Sequence, residues 1–329
     1  MSRVTTSLRW VVALPLCAVV AALGTTVAQT PSPGRLLVLL RDASALAIVD
    51  PESGTVLSRV PTGRDPHEVT ASADGRLAFV ASMVDGISVI DLAAREEIHR
   101  VDPGPGSQTH DVLFADGKVY FTIEGYKSIG RYDPETNEID WTLGIGQEGT
   151  HLLVLDQDRD RMFMPNTRSN TVTMVEGITA GPARATLTNI PVPGDTPEGI
   201  DLSPDGREIW TATRSDGGVS IIDVATRRVI ETLDLGLRDA NRLKFTPDGR
   251  VLIIDGEAAS LVVMEAASRR VIKRVSLGST DTGDGAVLVA PDGSRAYLGL
   301  RAADRVAVVD LNTLEVTLEM PMGDGAGPG

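Results

Sequence analysis

Short apolar segments alternate with polar turns along most of the chain. One unit shows the pattern clearly: a Ser-Pro-Asp-Gly turn at residues 203–206 separates the first two of four segments rich in alternating and β-branched residues. We predict these segments as the strands Gly199–Leu202, Glu208–Ala212, Val219–Asp223 and Val229–Leu233. Since no segment carries a sustained helical period, the pattern predicts an all-β protein.

The unit repeats along the chain. Five Asp-Gly turns mark it, beginning at Asp74, Asp116, Asp205, Asp248 and Asp292, and Asp158 fills the one gap without a following Gly. Successive Asp residues lie 42, 42, 47, 43 and 44 residues apart. A second acidic marker follows each apolar run, at Asp50, Asp91, Asp133, Glu176, Asp223, Glu265 and Asp310. A period near 43 residues with four short strands is typical of a β-propeller.

We therefore predict one seven-bladed β-propeller of four-stranded antiparallel blades over residues 36–329. The segment Leu36–Val60 supplies only three strands of the first blade. The missing innermost strand should begin near Gly329, where the sequence stops in a Gly-rich stretch. Two interpretations follow: the first blade has three strands, or the sequence is cut short.

One position of the repeat collects chemically active side chains. The residue that opens the innermost strand should lie at the mouth of the central channel, beside the loops that join the second and third strands. This column reads His67, His110, His151, Glu198, Asn241 and Asp284. Three of the four histidines fall in it, whereas His99 lies in an outermost strand and is expected at the surface.

Neutral imidazoles with a carboxylate suit a divalent transition metal. We predict His67, His110, His151 and Glu198 as ligands of Zn, Fe, Mn, Ni or Cu. Such a metal would polarise a substrate oxygen or activate water, while Glu198 or Asp284 moves protons as a catalytic group. The alternative is a water-filled polar channel that holds no metal.

The neighbouring loops carry cationic and aromatic side chains to the same face. Together with Asn241, we predict them as substrate-binding residues: Arg41, Tyr126, Arg168, Arg214 and Arg301. Arginines in corresponding loops favour a ligand with a carboxylate or similar anionic group. The alternative is that these arginines pair with Asp42, Asp216 and Asp304 and serve solubility.

The net charge and the N-terminal segment restrict the kinds of partner and the cellular location that we expect. The chain has 31 Lys and Arg against 45 Asp and Glu, a formal net charge of −14, which disfavours nucleic acid. Residues 1–28 are predicted as a signal peptide and 29–35 as a disordered lead-in, so we expect a periplasmic or secreted protein. The apolar run Trp10–Leu23 is too short for a membrane span, and it contains Cys17, the one cysteine. We expect a monomer that binds a small molecule or a protein partner.

The stretches SPDGREIW at 203–210 and GVSIIDVATRRVIETL at 218–233 resemble the YVTN-type propeller repeat family. That resemblance implies a secreted seven-bladed propeller within a group that includes lactonase-like proteins. Calcium-dependent gluconolactonase-like propellers use Glu, Asn and Asp ligands, whereas histidines dominate the column here, so a transition metal is favoured. We expect metal-dependent hydrolysis or elimination on a small anionic or lactone-type substrate. A non-catalytic scaffold that binds a protein, glycan or small ligand is the alternative.

Overall fold

Seven antiparallel sheets account for the strands in the part of the chain that the structure describes. The structure, a computed structural model, describes residues 34–278, 282–283 and 285–329. Residues 35–329 form one compact unit. The predicted signal peptide at 1–28 and most of the lead-in lie outside the described residues, as does Asp284. None of the helices in the described ranges is long and apolar enough to cross a bilayer.

The first sheet has three strands, β1 (Leu36–Leu40), β2 (Ala45–Val49) and β3 (Val56–Pro61), in that order. The second holds β4 (Pro66–Ala71), β5 (Leu77–Ser82), β6 (Gly86–Asp91) and β7 (Glu96–Val101). The third holds β8 (Thr109–Ala115), β9 (Lys118–Ile123), β10 (Ser128–Asp133) and β11 (Glu138–Gly144). The fourth holds β12 (Val154–Asp156), β13 (Arg161–Asn166), β14 (Thr171–Glu176) and β15 (Thr186–Pro191).

The fifth sheet holds β16 (Pro197–Leu202), β17 (Glu208–Thr213), β18 (Gly218–Asp223) and β19 (Arg228–Asp234). The sixth holds β20 (Ala240–Phe245), β21 (Arg250–Asp255), β22 (Ser260–Glu265) and β23 (Arg270–Ser276). The seventh holds β24 (Ala286–Val289), β25 (Arg295–Leu300), β26 (Arg305–Asp310) and β27 (Glu315–Pro321). Single 3₁₀ turns occur at Glu124–Tyr126, Gln157–Arg159, Pro182–Arg184 and Arg301–Ala303. The predicted seven-bladed propeller is confirmed.

The two acidic markers of the repeat shape its turns. Asp91, which ends β6, accepts hydrogen bonds from the backbone N–H groups of Ala93 and Ala94 and so holds the turn into β7. In the Asp-Gly turn between β4 and β5, Gly75 has a φ of +67°. Glycine adopts this conformation without the strain that a side chain would bring.

Burial differs between the middle and the outer strands of a blade. Every residue of β5 is buried, whereas exposed and half-buried residues alternate along β11. The middle strands pack on both faces against neighbouring sheets, and the outermost strand keeps one face in water. Between sheets five and six, for example, Trp210 packs edge-on against Phe245, with ring centroids 5.7 Å apart.

The first blade is closed by the C-terminal residues. The backbone N–H of Gly329 donates to the carbonyl of Leu39 at 3.1 Å, and that of Arg41 donates to Gly327 at 3.0 Å. Leu40 and Pro328 form an antiparallel bridge between these two bonds. The tail therefore lies where the other blades have their innermost strand, at the end of β1 nearest the channel mouth.

Candidate metal and anion site at the channel mouth

β-Bulges place the predicted column of residues at the mouth of the channel. The pairing between the first two strands skips one or two residues in blades two, three, five and six. The skipped positions include His67, His110, Glu198 and Asn241. A bulge bends the strand and changes the direction of the extra residue. The side chains of these residues therefore do not follow the alternation between the two faces of the sheet.

The structure brings the three predicted histidines together. The ring centroids of His67 and His110 lie 4.4 Å apart, and those of His110 and His151 lie 3.7 Å apart. All three line a cavity of about 290 Å³, together with Glu198 and several arginines. The prediction that His99 lies at the surface is confirmed, because it is exposed on β7.

Glu124 joins two of these histidines, and the sequence analysis did not identify it. Ligand atoms of His110, Glu124 and His151 all lie within 4.8 Å of one another, and the three side chains are buried. Glu124 is the first residue after the second strand of its blade. The first five of the seven residues at that position line the cavity: Arg41, Met83, Glu124, Thr167, Arg214, Gly256 and Arg301. An alignment of strand ends would therefore have found it.

The electrostatic environment keeps the paired imidazoles neutral. Burial, reinforced by His151, lowers the pKa of His110 well below its usual value. Burial is also the main cause that lowers the pKa of His151 to about 3. The Nδ1 atoms of both rings are buried and make no hydrogen bond. Burial raises the pKa of Glu124 against the opposing effect of Arg168, whose Nη2 lies 3.4 Å from its carboxylate.

His67 has partners for both of its ring nitrogens. Nδ1 lies 3.0 Å from the backbone carbonyl of Asp65, and Nε2 lies 2.7 Å from Nη2 of Arg41. These contacts assign the proton to Nδ1, which donates to the carbonyl, and leave Nε2 to accept from the guanidinium. Burial and Arg41 lower the pKa of His67. Its lone pair is thus used by Arg41, so a metal would have to displace that contact.

Glu198 lies between two guanidinium groups. Arg242 contacts one carboxylate oxygen at 2.6 Å, and Arg214 contacts the other at 3.3 Å. Burial acts to raise the pKa of Glu198, but His151, Arg242 and Arg214 together lower it below its usual value. The carboxylate is therefore ionised and already paired. Its predicted roles as ligand and proton carrier stay predictions.

Arg242 is the second residue that the sequence analysis missed. It follows the bulged Asn241 on β20, and its side chain is 12 % exposed. Its Nη2 also lies 3.3 Å from Glu68 of blade two, so one guanidinium links blades five, six and two across the channel. Strict alternation along a strand places only every second side chain toward the channel axis. The bulge at Asn241 lets the next residue, Arg242, face the channel as well.

The remaining predicted rim residues are dispersed. Tyr126 donates its hydroxyl to the carbonyl of Pro105 at 2.8 Å and is not part of the cavity. Arg301 pairs with Asp42 at 2.7 Å and lines a neighbouring cavity of about 660 Å³ that also includes Arg214. Asn241 is buried and donates to the carboxylate of Asp239 and the carbonyl of Gly283. Their predicted roles in substrate binding stay predictions.

A family model described as the cytochrome D1 heme domain matches residues 34–137, less than half of the chain. No curated protein matches the sequence. The family match and the solved structures below agree on one architecture. The fold is that of the seven-bladed propellers. The narrower YVTN-type resemblance stays a prediction.

Among solved structures, dihydro-heme d1 dehydrogenase NirN in complex with DHE superposes with a TM-score of 0.66 at 15 % identity. The match covers 89 % of this chain and 64 % of that chain, so this chain spans less than two thirds of NirN. A functionally unknown protein from Desulfotomaculum acetoxidans DSM 771 gives a TM-score of 0.71 at 13 % identity, covering 89 % and 97 %. Virginiamycin B lyase from Staphylococcus aureus gives 0.65 at 13 %, covering 88 % and 87 %. At these identities the likeness shows the fold alone.

Proposed function

We propose that the channel mouth binds a divalent transition metal through His110, His151 and Glu124. The observation that carries the proposal is the buried cluster of these three side chains, in which both imidazoles keep an Nδ1 atom without a hydrogen bond. Leaving buried polar atoms unpaired costs free energy, which a bound ligand would offset.

The titration behaviour of the cluster supports the same role. A metal binds the neutral form of imidazole, and the lowered pKa values of His110 and His151 keep protons from competing at neutral pH. Two nitrogen ligands and one carboxylate suit Zn²⁺ and its neighbours better than Ca²⁺. Three protein ligands leave a further coordination position for water or substrate.

The arginines of the cavity favour an anionic substrate. Arg41, Arg168, Arg214 and Arg242 line it, against the carboxylates of Glu124 and Glu198. A metal ion would add further positive charge, and charge-assisted hydrogen bonds from guanidinium groups would orient a carboxylate. A metal in this position activates water or polarises a carbonyl oxygen. We infer hydrolysis or elimination on a small anionic or lactone-type molecule, and the lyase among the similar folds is compatible with that.

The proposal also includes the remaining predictions from the sequence, which concern further site residues, export and the oligomeric state. His67 and Glu198 would extend the ligand set only by releasing their arginine partners. Asp284, which lies outside the described residues, remains a candidate proton carrier. Export through residues 1–28, to a periplasm or the outside, and a monomeric state complete the proposal.

Elemental analysis tests the metal site directly. Protein is purified without chelator and without nickel affinity resin, as wild type, His110→Ala and His99→Ala. We expect near-stoichiometric metal in the wild type and in His99→Ala, whose histidine is exposed on β7, and loss of metal in His110→Ala. A wild-type protein that is empty and takes up no first-row divalent ion would refute the proposal.

An iron tetrapyrrole is a second candidate ligand, because the family match covers the segment with Arg41, His67, His110 and Glu124. His110 or His151 would hold the iron through its unpaired Nδ1 atom, and Arg41 and Arg214 would pair with carboxylate substituents. A macrocycle would also have to occupy the neighbouring cavity, which shares Arg214. Such a group supplies redox chemistry and small-ligand binding at its iron. Titration with hemin distinguishes the candidates: a Soret shift lost in His110→Ala supports the tetrapyrrole.

The scaffold alternative makes a different prediction. A propeller that only presents its faces to a protein or glycan needs no metal, so His110→Ala would keep partner binding. Metal-dependent turnover that is lost in that variant would exclude a purely structural role.

A further inference from the structure

His151 lies outside the regular hydrogen-bond ladder of its own blade. The inner strand β12 begins only at Val154 and has three residues, whereas β8, which carries His110, has seven. Before β12, the N–H of His151 donates to the carbonyl of Pro165, and Thr150 bridges Asn166. The blade that contains His151 therefore holds residues 151–153 by the N–H of His151, and contacts from the neighbouring blade complete their positioning.

Blade three supplies those contacts through two buried side chains. The hydroxyl of Thr122 donates to the backbone carbonyl of His151 at 2.9 Å. An oxygen of the Asp111 carboxyl group accepts from the backbone N–H of Leu153 at 2.5 Å. The two side chains are also joined to each other, because Thr122 accepts from the backbone N–H of Asp111 at 2.9 Å. Thr122 is fully buried and Asp111 is 8 % exposed.

We propose that Asp111 and Thr122 are positioning residues that set the spacing of His110 and His151 at the metal site. The inference rests on the proposed metal-binding function. Asp111 follows His110 directly in the chain, so the strand that carries one histidine also bonds to the segment that carries the other. The two contacts hold the segment on the C-terminal side of His151, at its carbonyl and two residues further along, whereas Pro165 holds its N–H. Loss of either contact leaves residues 151–153 with fewer restraints on their position relative to His110.

A matched control exists at another blade junction. The carboxylate of Asp201 accepts from the backbone N–H of Phe245 at 2.7 Å and so joins blades five and six in the same manner. Neither β16, which carries Asp201, nor β20, which carries Phe245, contains a histidine. Asp201→Ala therefore removes a comparable contact between blades without touching the spacing of His110 and His151.

The test is Co²⁺ binding to the full chain, followed by calorimetric titration and by the visible absorption of the bound ion. Hydrogen-bond partners of metal ligands typically contribute about 10- to 100-fold in metal affinity. We expect a loss of this size in Asp111→Ala, which leaves no side-chain acceptor for Leu153, and in Thr122→Val. Thr122→Ser, which keeps the hydroxyl, should restore affinity, and Asp201→Ala should bind like the wild type. Melting temperatures measured without metal separate this effect from general destabilisation.

Two results would overturn the inference in different ways. If the wild type binds Co²⁺ and both Asp111→Ala and Thr122→Val keep its affinity and spectrum, the positioning role is refuted while the metal site stands. If the wild type binds no metal, the proposed function fails and the inference fails with it. Should Asp111→Ala not fold, the Thr122→Val and Thr122→Ser pair decides the question.

Discussion

Replacing Arg242 with Met should destabilise the propeller by leaving a buried carboxylate short of a partner. Arg242 is 12 % exposed and lies 2.6 Å from Glu198, whose side chain is 6 % exposed. Methionine has a similar length but no charge, so the change removes the ion pair with little loss of packing volume. Arg214 remains at 3.3 Å from the second carboxylate oxygen.

The expected cost follows from this geometry. Removing one partner of a buried ion pair costs about 3–5 kcal/mol. Because Arg214 still compensates part of the charge, we expect the lower end, about 3 kcal/mol. At about 2–4 °C per kcal/mol, the value for domains of 150–250 residues, the melting temperature should fall by about 6–12 °C. Glu198→Gln in the same chain should recover part of that loss, since it removes the unpaired charge.

The stability difference between wild type and Arg242→Met should depend on pH, because it depends on the ionisation of Glu198. Burial opposes ionisation of Glu198, but its charged and polar neighbours, Arg242 among them, lower its pKa below the usual value of 4.5. A group with a lowered pKa in the folded state stabilises the fold above its unfolded pKa, and that stability is lost as the pH falls through the folded value. The difference between wild type and Arg242→Met should therefore be largest near neutral pH and shrink below about pH 4.5.

Thermal denaturation followed by circular dichroism, from pH 3 to pH 8, measures both effects. Arg207→Met is the matched control, because Arg207 is 82 % exposed and its contact with Asp205 is 3.7 Å long. Exposed pairs of this kind contribute about 0–1 kcal/mol. Equal stability of Arg242→Met and wild type at pH 7, or a difference that is the same at every pH, would refute the reasoning.

Three further predictions follow from the site and the core. A Cβ at Gly125 would lie 1.9 Å from the carbonyl oxygen of Gly106, so Gly125→Ala should displace Glu124. We expect metal titration to show binding about tenfold weaker or worse in Gly125→Ala and unchanged in Gly144→Ala, where the space around the Cβ is open. A divalent ion at about 100 times its Kd should stabilise the wild type by about 2.7 kcal/mol in calorimetry and leave Glu124→Gln much less affected; an equal shift in both proteins would exclude Glu124 as a ligand. Trp210→Ala should cost about 3–5 kcal/mol in denaturant unfolding, because the indole is fully buried, and a cost below 1 kcal/mol would contradict that packing.

Much of the fold could be predicted because each repeat carries its own local signals. The strands predicted in the fifth blade agree with β16–β19 to within two residues at each end. Apolar alternation and Asp-Gly turns act over four to eight residues, so they can be read without knowledge of the neighbouring blades. The column of His67, His110 and His151 was predicted by the same periodicity, and these rings do meet.

The composition of the site was harder to predict. Glu124 was missed because the loop position was read at Tyr126, two residues further along, and this side chain turns toward Pro105. Arg242 was missed because a bulge departs from the strict alternation used to assign faces. The first error is a shift of two residues within a 3₁₀ turn. The second is a shift of one residue in a strand, which is enough to change the face that a side chain occupies.

The sequence by itself determined the number of blades, the order of strands and the column of residues at the mouth, since these depend on local pattern and period. Only the tertiary structure decided which of those residues have free ligand atoms. His67 and Glu198 are held by arginines of other blades, whereas the Nδ1 atoms of His110 and His151 are left unpaired beside Glu124. The physical reason is that these contacts join residues from different repeats. Their existence depends on the angle and spacing between blades, which no single repeat encodes.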